Sequence, residues 1–363
     1  MAAIWVELGE RRYPIHVGRG LVARLPELLG AWRGRRGVVV SNPRIWSLHG
    51  QRVARGLRKL GRFTPVLVPA GERHKSALTL ARLHDAFLAA GLARDGCVVA
   101  MGGGVVGDLT GFAAATYMRG VDYVQVPTTL LAMVDSSIGG KVGVNHPKAK
   151  NLIGAFHQPR TVVVDPAFLA SLPAREARSG AYEILKCGVL ADPGLFSALA
   201  AAPYGLRRWD HAASEAAIAA ACRIKAEIVA QDERESGLRR VLNLGHTLGH
   251  AFEAVTGYRR FTHGEAVGWG LIGAAWLAWR RGLLRETRLA AIAEAVDHLG
   301  PRPRVSDLAP QALLAALRHD KKVKDGKLHF VLPEAIGRVV IRNDVTTGDV
   351  LGALRFLAAR ELG

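Results

Sequence analysis

The chain contains 363 residues, of which 49% are hydrophobic and 22% charged, so its composition is that of a globular protein and excludes a disordered one. At this length two domains can each bury a core. The formal net charge of +18 comes from Lys and Arg scattered along the chain, without zinc-finger spacing, an RNA-recognition signature or interleaved aromatic and basic residues. This pattern disfavours nucleic acid as a partner and indicates a phosphate-bearing small ligand.

Cysteine usage and the apolar segments predict the compartment. Cys97, Cys187 and Cys222 are too few and too far apart for a disulfide framework or a thiolate metal site, which favours a reducing cytoplasm. Residues 1–7 are typical of a strand and lack the layout of a signal peptide. The longest apolar stretch, residues 266–279, is shorter than the roughly 20 residues that a membrane helix needs. We expect a soluble, cytoplasmic protein without a membrane partner.

The first half of the chain alternates between strand and helix patterns with short loops. Such alternation predicts a parallel sheet covered by helices, and hence an α/β domain over residues 1–170. The predicted strands are residues 4–18 (edge strands), 37–41, 65–69, 97–101, 123–126 and 161–165, and the predicted helices are residues 21–29, 46–60, 76–90 and 109–115.

The pattern changes near residue 170, where long, alanine-rich helical segments begin. We therefore predict a second, mainly α-helical domain over residues 171–363, with a cleft between the halves as the default site. The predicted helices are residues 179–190, 212–230, 245–255, 263–282, 287–299 and 311–317, followed by a hairpin (327–332 and 338–342) and a C-terminal helix.

A glycine-rich turn follows the predicted strand at residues 97–101. Gly102, Gly104 and Gly107 match the spacing G-x-G-x-x-G, and Gly107-Asp108 is expected to open a helix. A turn of this kind lets a diphosphate approach the backbone and the helix N-terminus. The turn departs from the Rossmann fingerprint because it does not follow the first strand and no acidic residue ends a strand about 20 positions on. A tight turn without a ligand is the alternative.

Histidines and one carboxylate in the second half have the composition of a metal site. His246 and His250 are four residues apart on one helical face, and His263 follows a short loop. Glu183 lies on an earlier helix, and two histidines with one carboxylate are a recurrent ligand set for a catalytic divalent metal. Each histidine alone is more often a hydrogen-bonded core residue, but together the residues favour a metal site.

Polar and cationic residues are dense after the glycine-rich turn. The segment 135–141 is small, polar and glycine-rich, which fits a loop that wraps a polar ligand, although a solvated loop has the same composition. In the second half, Lys186 shares a helical face with Glu183, while Lys225 and Arg239 add positive charge. Together these cations indicate an acidic, phosphorylated substrate. The polar series comprises Arg119, Thr128, Thr129, Asp135, Ser136, Lys141, Asn145, Lys150 and Asn151.

Long motifs in a fixed order carry a specific resemblance. The chain closely resembles the 3-dehydroquinate synthases over nearly its whole length. The resemblance rests on residues 102–108, 119–120, 125–132, 134–141, 151–156, 243–247 and 263–267.

The resemblance implies a Rossmann-like N-terminal nucleotide-binding domain, a mainly helical metal-binding C-terminal domain, an active site between them and a homodimer. It also implies NAD and a catalytic Zn²⁺, with Co²⁺ able to substitute. By position, the metal ligands would be Glu183, His246 and His263, whereas His250 would contact the substrate.

The resemblance further assigns the residues around the two organic ligands. NAD would contact Glu72, Arg73, His74, Lys75, Gly104, Val105, Val106, Gly107, Asp108, Thr128, Thr129, Lys141, Lys150, Phe168 and Ser171. The substrate pocket would comprise Arg119, Lys141, Asn151, Lys186, Lys225, Arg239, Asn243, His250 and Lys321, with Lys322 as the alternative to Lys321.

The implied reaction converts 3-deoxy-D-arabino-heptulosonate 7-phosphate, an anionic phosphorylated sugar acid, into 3-dehydroquinate and phosphate. It would proceed by transient oxidation with NAD, elimination of phosphate, reduction and intramolecular aldol closure, which makes the enzyme a lyase of the shikimate pathway. Three alternatives remain: another sugar-phosphate cyclase, such as a sedoheptulose 7-phosphate cyclase, a metal- and NAD-dependent polyol dehydrogenase, and a basic nucleic-acid-binding protein.

Overall fold

The structure, a computed structural model, describes residues 3–147, 149–201, 211–319 and 328–362. The chain divides into two compact units. The first contains Met1–Leu172 together with Lys225–Arg234, and the second contains Pro173–Ile224 together with Glu235–Gly363. The sequence-based division near residue 170 leaves Lys225–Arg234 in the second domain, whereas the structure groups this segment with the first unit.

The first unit is built on a mostly parallel sheet. Its strands run in the order β1-β2-β9-β6-β5-β3-β4, and every neighbouring pair is parallel except β1 and β2. Only β1 and β4 are edges, so the prediction of edge strands over residues 4–18 is wrong for β2, which also pairs with β9. The strands of this unit are β1 (Ile4–Val6), β2 (Tyr13–Val17), β3 (Gly37–Ser41), β4 (Phe63–Leu67), β5 (Cys97–Gly102), β6 (Asp122–Pro127), β7 (Lys141–His146), β8 (Ala149–Phe156) and β9 (Thr161–Val164).

Helices connect the parallel strands and carry the expected start signals. Asn42 caps the second helix by accepting a hydrogen bond from the Ile45 amide, and Ser76 caps the third by accepting one from Thr79. The strands β3, β5 and β9 are buried along their whole length, as parallel strands covered on both faces should be. The helices are α1 (Leu25–Leu28), α2 (Pro43–Leu57), α3 (Ala77–Ala89) and α4 (Gly104–Thr116).

The order of the strands creates a switch point beside β5. From β3 the chain passes outward to β4 and then returns to form β5 on the other side of β3. The hydroxyl of Ser41, at the end of β3, donates to the Met101 carbonyl near the end of β5. Ligands of open α/β sheets bind outside the carboxyl ends of the strands at such a reversal.

Helix α4 begins at Gly104, well before the predicted start at residue 109. Only Gly103 therefore lies between β5 and α4, and Gly107 is a helical residue. A Cβ at Gly107 would lie 2.9 Å from Oε1 of Gln125 on β6, so its glycine serves close packing of α4 on the sheet. Glycine has a low helix propensity, and tertiary packing overrides it here.

The segment after β6 is more ordered than predicted. Residues Ala132–Ser136 form a π-helical turn whose first three side chains are buried, so the predicted loop over residues 135–141 is wrong at its start. Strands β7 and β8, which were not predicted, pair as an antiparallel hairpin. A Cβ at Gly154 would lie 2.2 Å from the Val142 carbonyl oxygen, so glycine permits the close crossing of the two strands.

The second unit is mainly helical. Its helix α9 is buried almost throughout and packs against α5, α8, α10 and α12. Helix α7 begins in the second unit, and its residues from Lys225 onward belong to the first. The elements are α5 (Ala174–Ala191), α6 (Pro193–Ala200), α7 (His211–Gln231), α8 (His246–Val255), α9 (His263–Arg280), α10 (Glu286–His298), α11 (Pro310–His319), α12 (Thr347–Leu362), β10 (Phe330–Ala335) and β11 (Arg338–Arg342).

Two further sequence expectations concern apolar residues. Cys97, Cys187 and Cys222 are all buried, whereas the sequence placed only two of the three within apolar segments. None of the helices in the described part of the chain combines the length and the hydrophobicity required to cross a membrane.

Candidate functional site

A carboxylate and two imidazoles meet in the second unit. Oε1 of Glu183 lies 3.7 Å from Nε2 of His246 and 3.6 Å from Nε2 of His263. One potential ligand atom from each residue lies within 4.8 Å of the other two. The structure therefore brings together the three residues that were predicted as metal ligands, and three such ligands leave one position of a tetrahedral site open.

Three helices present these side chains. Glu183 lies in the middle of α5, and His246 and His263 are the first residues of α8 and α9. Gly245, at the N-cap of α8, has φ +78°, and a Cβ there would lie 3.0 Å from backbone atoms of α9. Only glycine combines this conformation with this close approach, so it fixes where His246 enters the site.

A capping box fixes the start of α9. The Thr262 hydroxyl accepts a hydrogen bond from the Glu265 amide, and the Glu265 carboxylate accepts one from the Thr262 amide. Arg175 donates to both carboxylate oxygens of Glu265, at 2.8 and 2.7 Å, and to the Arg260 carbonyl. These contacts hold the backbone of His263 in place.

The Glu183 carboxylate has the environment of a cation ligand. The residue is 1% exposed, and among the described residues neither of its carboxylate oxygens accepts a hydrogen bond. Burying such a group is costly unless cations neutralise it. The ammonium group of Lys186, one helical turn on, forms an ion pair with Oε2 and leaves Oε1 between the imidazoles. These residues fit a divalent metal ion.

The remote nitrogens of both imidazoles have oxygen partners. Nδ1 of His246 lies 3.1 Å from the Leu244 carbonyl oxygen, and Nδ1 of His263 lies 3.3 Å from Oε2 of Glu253. His250 lies nearby, its ring centroid 5.4 Å from that of His246. His250, Glu253 and His263 form a second group with closely spaced ligand atoms.

Two predicted substrate residues lie just before α8. Arg239 is 3% exposed within the 3₁₀-helix Leu238–Asn243. The side-chain amide of Asn243 donates to Oε1 of Glu235 at 2.8 Å, and Glu235 itself adopts φ +58°. The last predicted substrate residue, Lys321, and its alternative Lys322 lie outside the described residues.

In the first unit, the N-terminus of α4 is open at the switch point. Gly103 is its N-cap and makes no side-chain capping hydrogen bond, so the helix geometry leaves the amides of Gly104, Val105 and Val106 available. The buried hydroxyls of Thr128 and Ser136 accept or donate no hydrogen bond within the described chain. Unsatisfied donors and a positive helix end fit the diphosphate of a dinucleotide.

A polar network adjoins this helix end. Lys75 is 4% exposed, and its ammonium group donates to Oδ2 of Asp108 at 2.5 Å and to the Asn151 side chain. Burial raises the pKa of Asp108, against the opposing effect of Lys75. The Asn151 amide donates to Asn145, whose side chain donates to Glu72 at 2.8 Å. The network thus ties residues predicted to contact NAD to one predicted to contact substrate.

Further residues predicted to contact NAD or the substrate also belong to the first unit. Glu72, Arg73 and His74 form one 3₁₀ turn before Lys75. Lys150 lies 4.0 Å from Glu72, and Lys141 begins β7 and is exposed. Thr129 accepts a hydrogen bond from the Ala132 amide. Lys225 is buried, and it donates to the carbonyl and the carboxylate of Asp135 at 2.7 and 2.5 Å.

Three predicted residues lie apart from the network. Arg119 is exposed beyond the C-terminus of α4, a helix about 20 Å long, and the backbone there has positive φ at Met118, Arg119 and Gly120. Phe168 is 1% exposed and packs on His49, which also hydrogen-bonds Ser171.

Sequence reasoning left two contact residues unassigned. Asp135 belonged only to the polar series, although it pairs with Lys225. Glu253 was not singled out, although it lies seven residues after His246 on α8 and hydrogen-bonds His263. Its spacing of three from His250 was the only available signal, because three-residue spacing places both on one helical face.

Relatives cover nearly the whole chain. The family model for the N-terminal part of 3-dehydroquinate synthase matches residues 65–179, and the model for its C-terminal part matches residues 180–323. The chain is 47% identical over 363 residues to the 3-dehydroquinate synthase of Pelotomaculum thermopropionicum, covering 99% of this chain and 97% of the relative. The chain belongs to the 3-dehydroquinate synthase family.

Other members and solved structures agree with this assignment. The 3-dehydroquinate synthase of Gloeobacter violaceus is 47% identical and covers 96% of this chain and 97% of its own. The structure of ValA, a 2-epi-5-epi-valiolone synthase from Streptomyces hygroscopicus with NAD⁺ and Zn²⁺ bound, is 34% identical with a TM-score of 0.86 and covers 96% of this chain and 97% of its own.

More distant structures support the fold alone. A 2-deoxy-scyllo-inosose synthase complexed with carbaglucose-6-phosphate, NAD⁺ and Co²⁺ has a TM-score of 0.84 at 24% identity, covering 98% of this chain and 99% of its own. This chain thus has the predicted fold class, a Rossmann-like α/β part followed by a mainly helical part.

Proposed function

We propose that this chain is a 3-dehydroquinate synthase, a carbon–oxygen lyase that converts 3-deoxy-D-arabino-heptulosonate 7-phosphate into 3-dehydroquinate and phosphate. Family membership at 47% identity supports the activity. One observation of the structure carries the proposal. His246 and His263 both lie next to a buried carboxylate oxygen of Glu183, which accepts no hydrogen bond among the described residues.

Two cofactors belong to the proposed function. A divalent metal, Zn²⁺ or Co²⁺, would be held by Glu183, His246 and His263, and when bound it lowers the pKa of a coordinated hydroxyl group. NAD would be held at the N-terminus of α4 and would accept and return a hydride. The ValA structure, which contains NAD⁺ and Zn²⁺, supports this pairing.

Residues of the second unit would hold the polar substrate near the metal. Lys186 is almost fully buried and supplies a fixed positive charge next to Glu183. Arg239 and Asn243 lie on one short helix, where Glu235 orients the Asn243 amide so that its oxygen is available to a hydroxyl group. His250 would exchange a proton with the substrate, because imidazole titrates near neutral pH.

Residues of the first unit would bind the nucleotide and the anionic groups. The open helix end and the hydroxyls of Thr128 and Ser136 would take the diphosphate. Lys75 orients Asn151 through a hydrogen bond, and Lys225 is held by Asp135. Such fixed donors bind a phosphate in one geometry, which favours its controlled departure.

The test is phosphate release from 3-deoxy-D-arabino-heptulosonate 7-phosphate with catalytic NAD and Zn²⁺, while NADH absorbance is followed. We expect stoichiometric phosphate without lasting NADH, and loss of activity on chelation. Steady NADH production from a polyol would instead indicate a dehydrogenase. The resemblance also implies a cytoplasmic homodimer. A molecular mass of one chain, measured in solution by light scattering, would contradict the dimer.

One other activity has a specific observation in its favour. The ValA structure at 34% identity belongs to a cyclase of a different name, so a related sugar-phosphate cyclase is the second candidate. Sedoheptulose 7-phosphate is the substrate to compare. Phosphate release from sedoheptulose 7-phosphate, with none from 3-deoxy-D-arabino-heptulosonate 7-phosphate, would replace the synthase proposal by that of a related cyclase.

A further inference from the structure

A buried carboxylate lies beside the three residues proposed to bind the metal. Glu253 is 7% exposed, and its Oε2 lies 3.3 Å from Nδ1 of His263. The other ring nitrogen of His263, Nε2, lies 3.6 Å from Oε1 of Glu183. The imidazole therefore has one carboxylate at each nitrogen, Glu253 at Nδ1 and Glu183 at Nε2.

The hydrogen bond to Glu253 decides which nitrogen of His263 can bind a metal. An ionised carboxylate can only accept a hydrogen bond, so Nδ1 carries the ring proton and the neutral ring keeps its lone pair on Nε2, which faces Glu183 and His246. Outer carboxylates that orient histidine ligands in this way raise ligand basicity and metal affinity.

The backbone and the packing around His263 do not by themselves fix the orientation of its ring. The capping box of Thr262 and Glu265 fixes the start of α9 but does not fix the rotation of the His263 ring. The His263 side chain is 28% exposed, so packing encloses it only in part. Glu253, on the neighbouring helix α8, contacts the ring directly at Nδ1.

We propose that Glu253 is a positioning residue that holds His263 in the tautomer and ring orientation in which Nε2 binds the metal. The inference rests on the metal site of the proposed function. Its rival is that Glu253 is itself a metal ligand, in the group that it forms with His250 and His263. The two differ in whether removing the carboxylate changes the coordination of the ion or only its affinity.

The experiment measures metal binding by the purified full-length apoprotein. Zn²⁺ affinity is determined by competition with a chromophoric chelator, and Co²⁺ coordination from the visible absorption bands. The variants are Glu253→Gln, which keeps the size of the side chain, and Glu253→Ala. Glu294→Gln, at an exposed position of α10, is the matched control.

We expect Glu253→Ala to weaken Zn²⁺ binding about 10- to 100-fold while the Co²⁺ bands keep their wild-type positions. Glu253→Gln should weaken binding less, between about threefold and about tenfold, because its amide oxygen still accepts the hydrogen bond from Nδ1–H but carries no charge. Glu294→Gln should bind both ions as the wild type does. If the alanine variant does not fold, the glutamine variant decides by the same readout.

Three results would overturn the proposal. Wild-type affinity in both Glu253 variants would show that the hydrogen bond does not contribute to metal binding. Co²⁺ bands altered in Glu253→Ala as they are in Glu183→Gln would make Glu253 a ligand. A wild-type protein that binds neither ion would reject the metal site of the proposed function, and this inference with it.

Discussion

Lys186 and Glu183 form a buried ion pair one helical turn apart, and the proposed metal would add two further positive charges. Because the ammonium group and a cation repel each other, Lys186→Met should leave metal affinity unchanged or raise it. Turnover should fall, because a charged hydrogen bond to the substrate is lost, worth about 10- to 100-fold in kcat/KM. Metal titration and phosphate release on the same preparation measure both effects. Weakened metal binding in this variant would contradict the argument.

Two histidines at the same site should differ in what they do. His263→Ala removes one of three proposed ligands, so we expect loss of bound Zn²⁺ and, with it, of phosphate release. His250→Ala should keep the metal and lose turnover, because His250 is proposed to contact substrate only. Metal content measured after gel filtration separates the two. Equal metal loss in both variants would place His250 among the ligands.

At the scale of residues, the sequence predicted the site where spacing or long motifs carried the information. The four-residue spacing of His246 and His250 placed both on one helical face, and their ring centroids do lie 5.4 Å apart. Glu183 and Lys186 were predicted to share a face, and they form an ion pair. The contact between Glu253 and His263 depends on how α8 packs on α9, which no local pattern encodes.

Helices α8 and α9 approach each other through glycines. A Cβ at Gly270 would lie 1.8 Å from the Gly245 carbonyl oxygen, so Gly270→Ala must separate the helices. We expect a loss of about 1–3 kcal/mol in the free energy of unfolding, and weaker metal binding because Gly245 precedes His246. Gly348→Ala is the control, since a Cβ there makes only an ordinary contact with Thr346. Denaturant unfolding compares the two, and equal stability would refute the packing argument.

At the scale of elements, periodicity predicted the long helices and the buried parallel strands. It failed where tertiary packing overrides local propensity. Helix α4 contains three glycines although glycine disfavours helices, and two of them, Gly107 and Gly111, lie close to side chains of β6. The hairpin β7–β8 was missed because its polar residues, among them Asn145, Lys150 and Asn151, were interpreted as ligand contacts and not as parts of strands.

For the molecule as a whole, three histidines of the first unit link stability to pH. Burial is the main cause that lowers the pKa of His16, His49 and His157 below the ordinary value of 6.5. Near this pH the unfolded chain then binds more protons than the folded one, so stability is lost as pH falls through the unfolded-state value.

We therefore expect the urea concentration at the denaturation midpoint to decrease when the pH is lowered from about 7.5 to about 5.5. His157→Gln should make this dependence less steep, because glutamine does not titrate. The imidazole that it replaces stacks on Tyr123 and contacts the Val121 carbonyl within the fold. Urea unfolding of both proteins at the two pH values is the measurement. An equally steep decrease in the variant would assign the effect to other groups.

The segment Lys225–Arg234 returns to the first unit after the chain has already entered the second. Its Glu233 receives two hydrogen bonds from Arg11, at 2.6 and 2.7 Å, and one from Gln158. A gene fragment that stops at residue 172 would leave Arg11 and Gln158 without this acceptor and Asp135 without Lys225. Exchange of halves between relatives by a single crossover would likewise pair each half with a foreign segment. The first unit is therefore complete only in a chain that continues through residue 234.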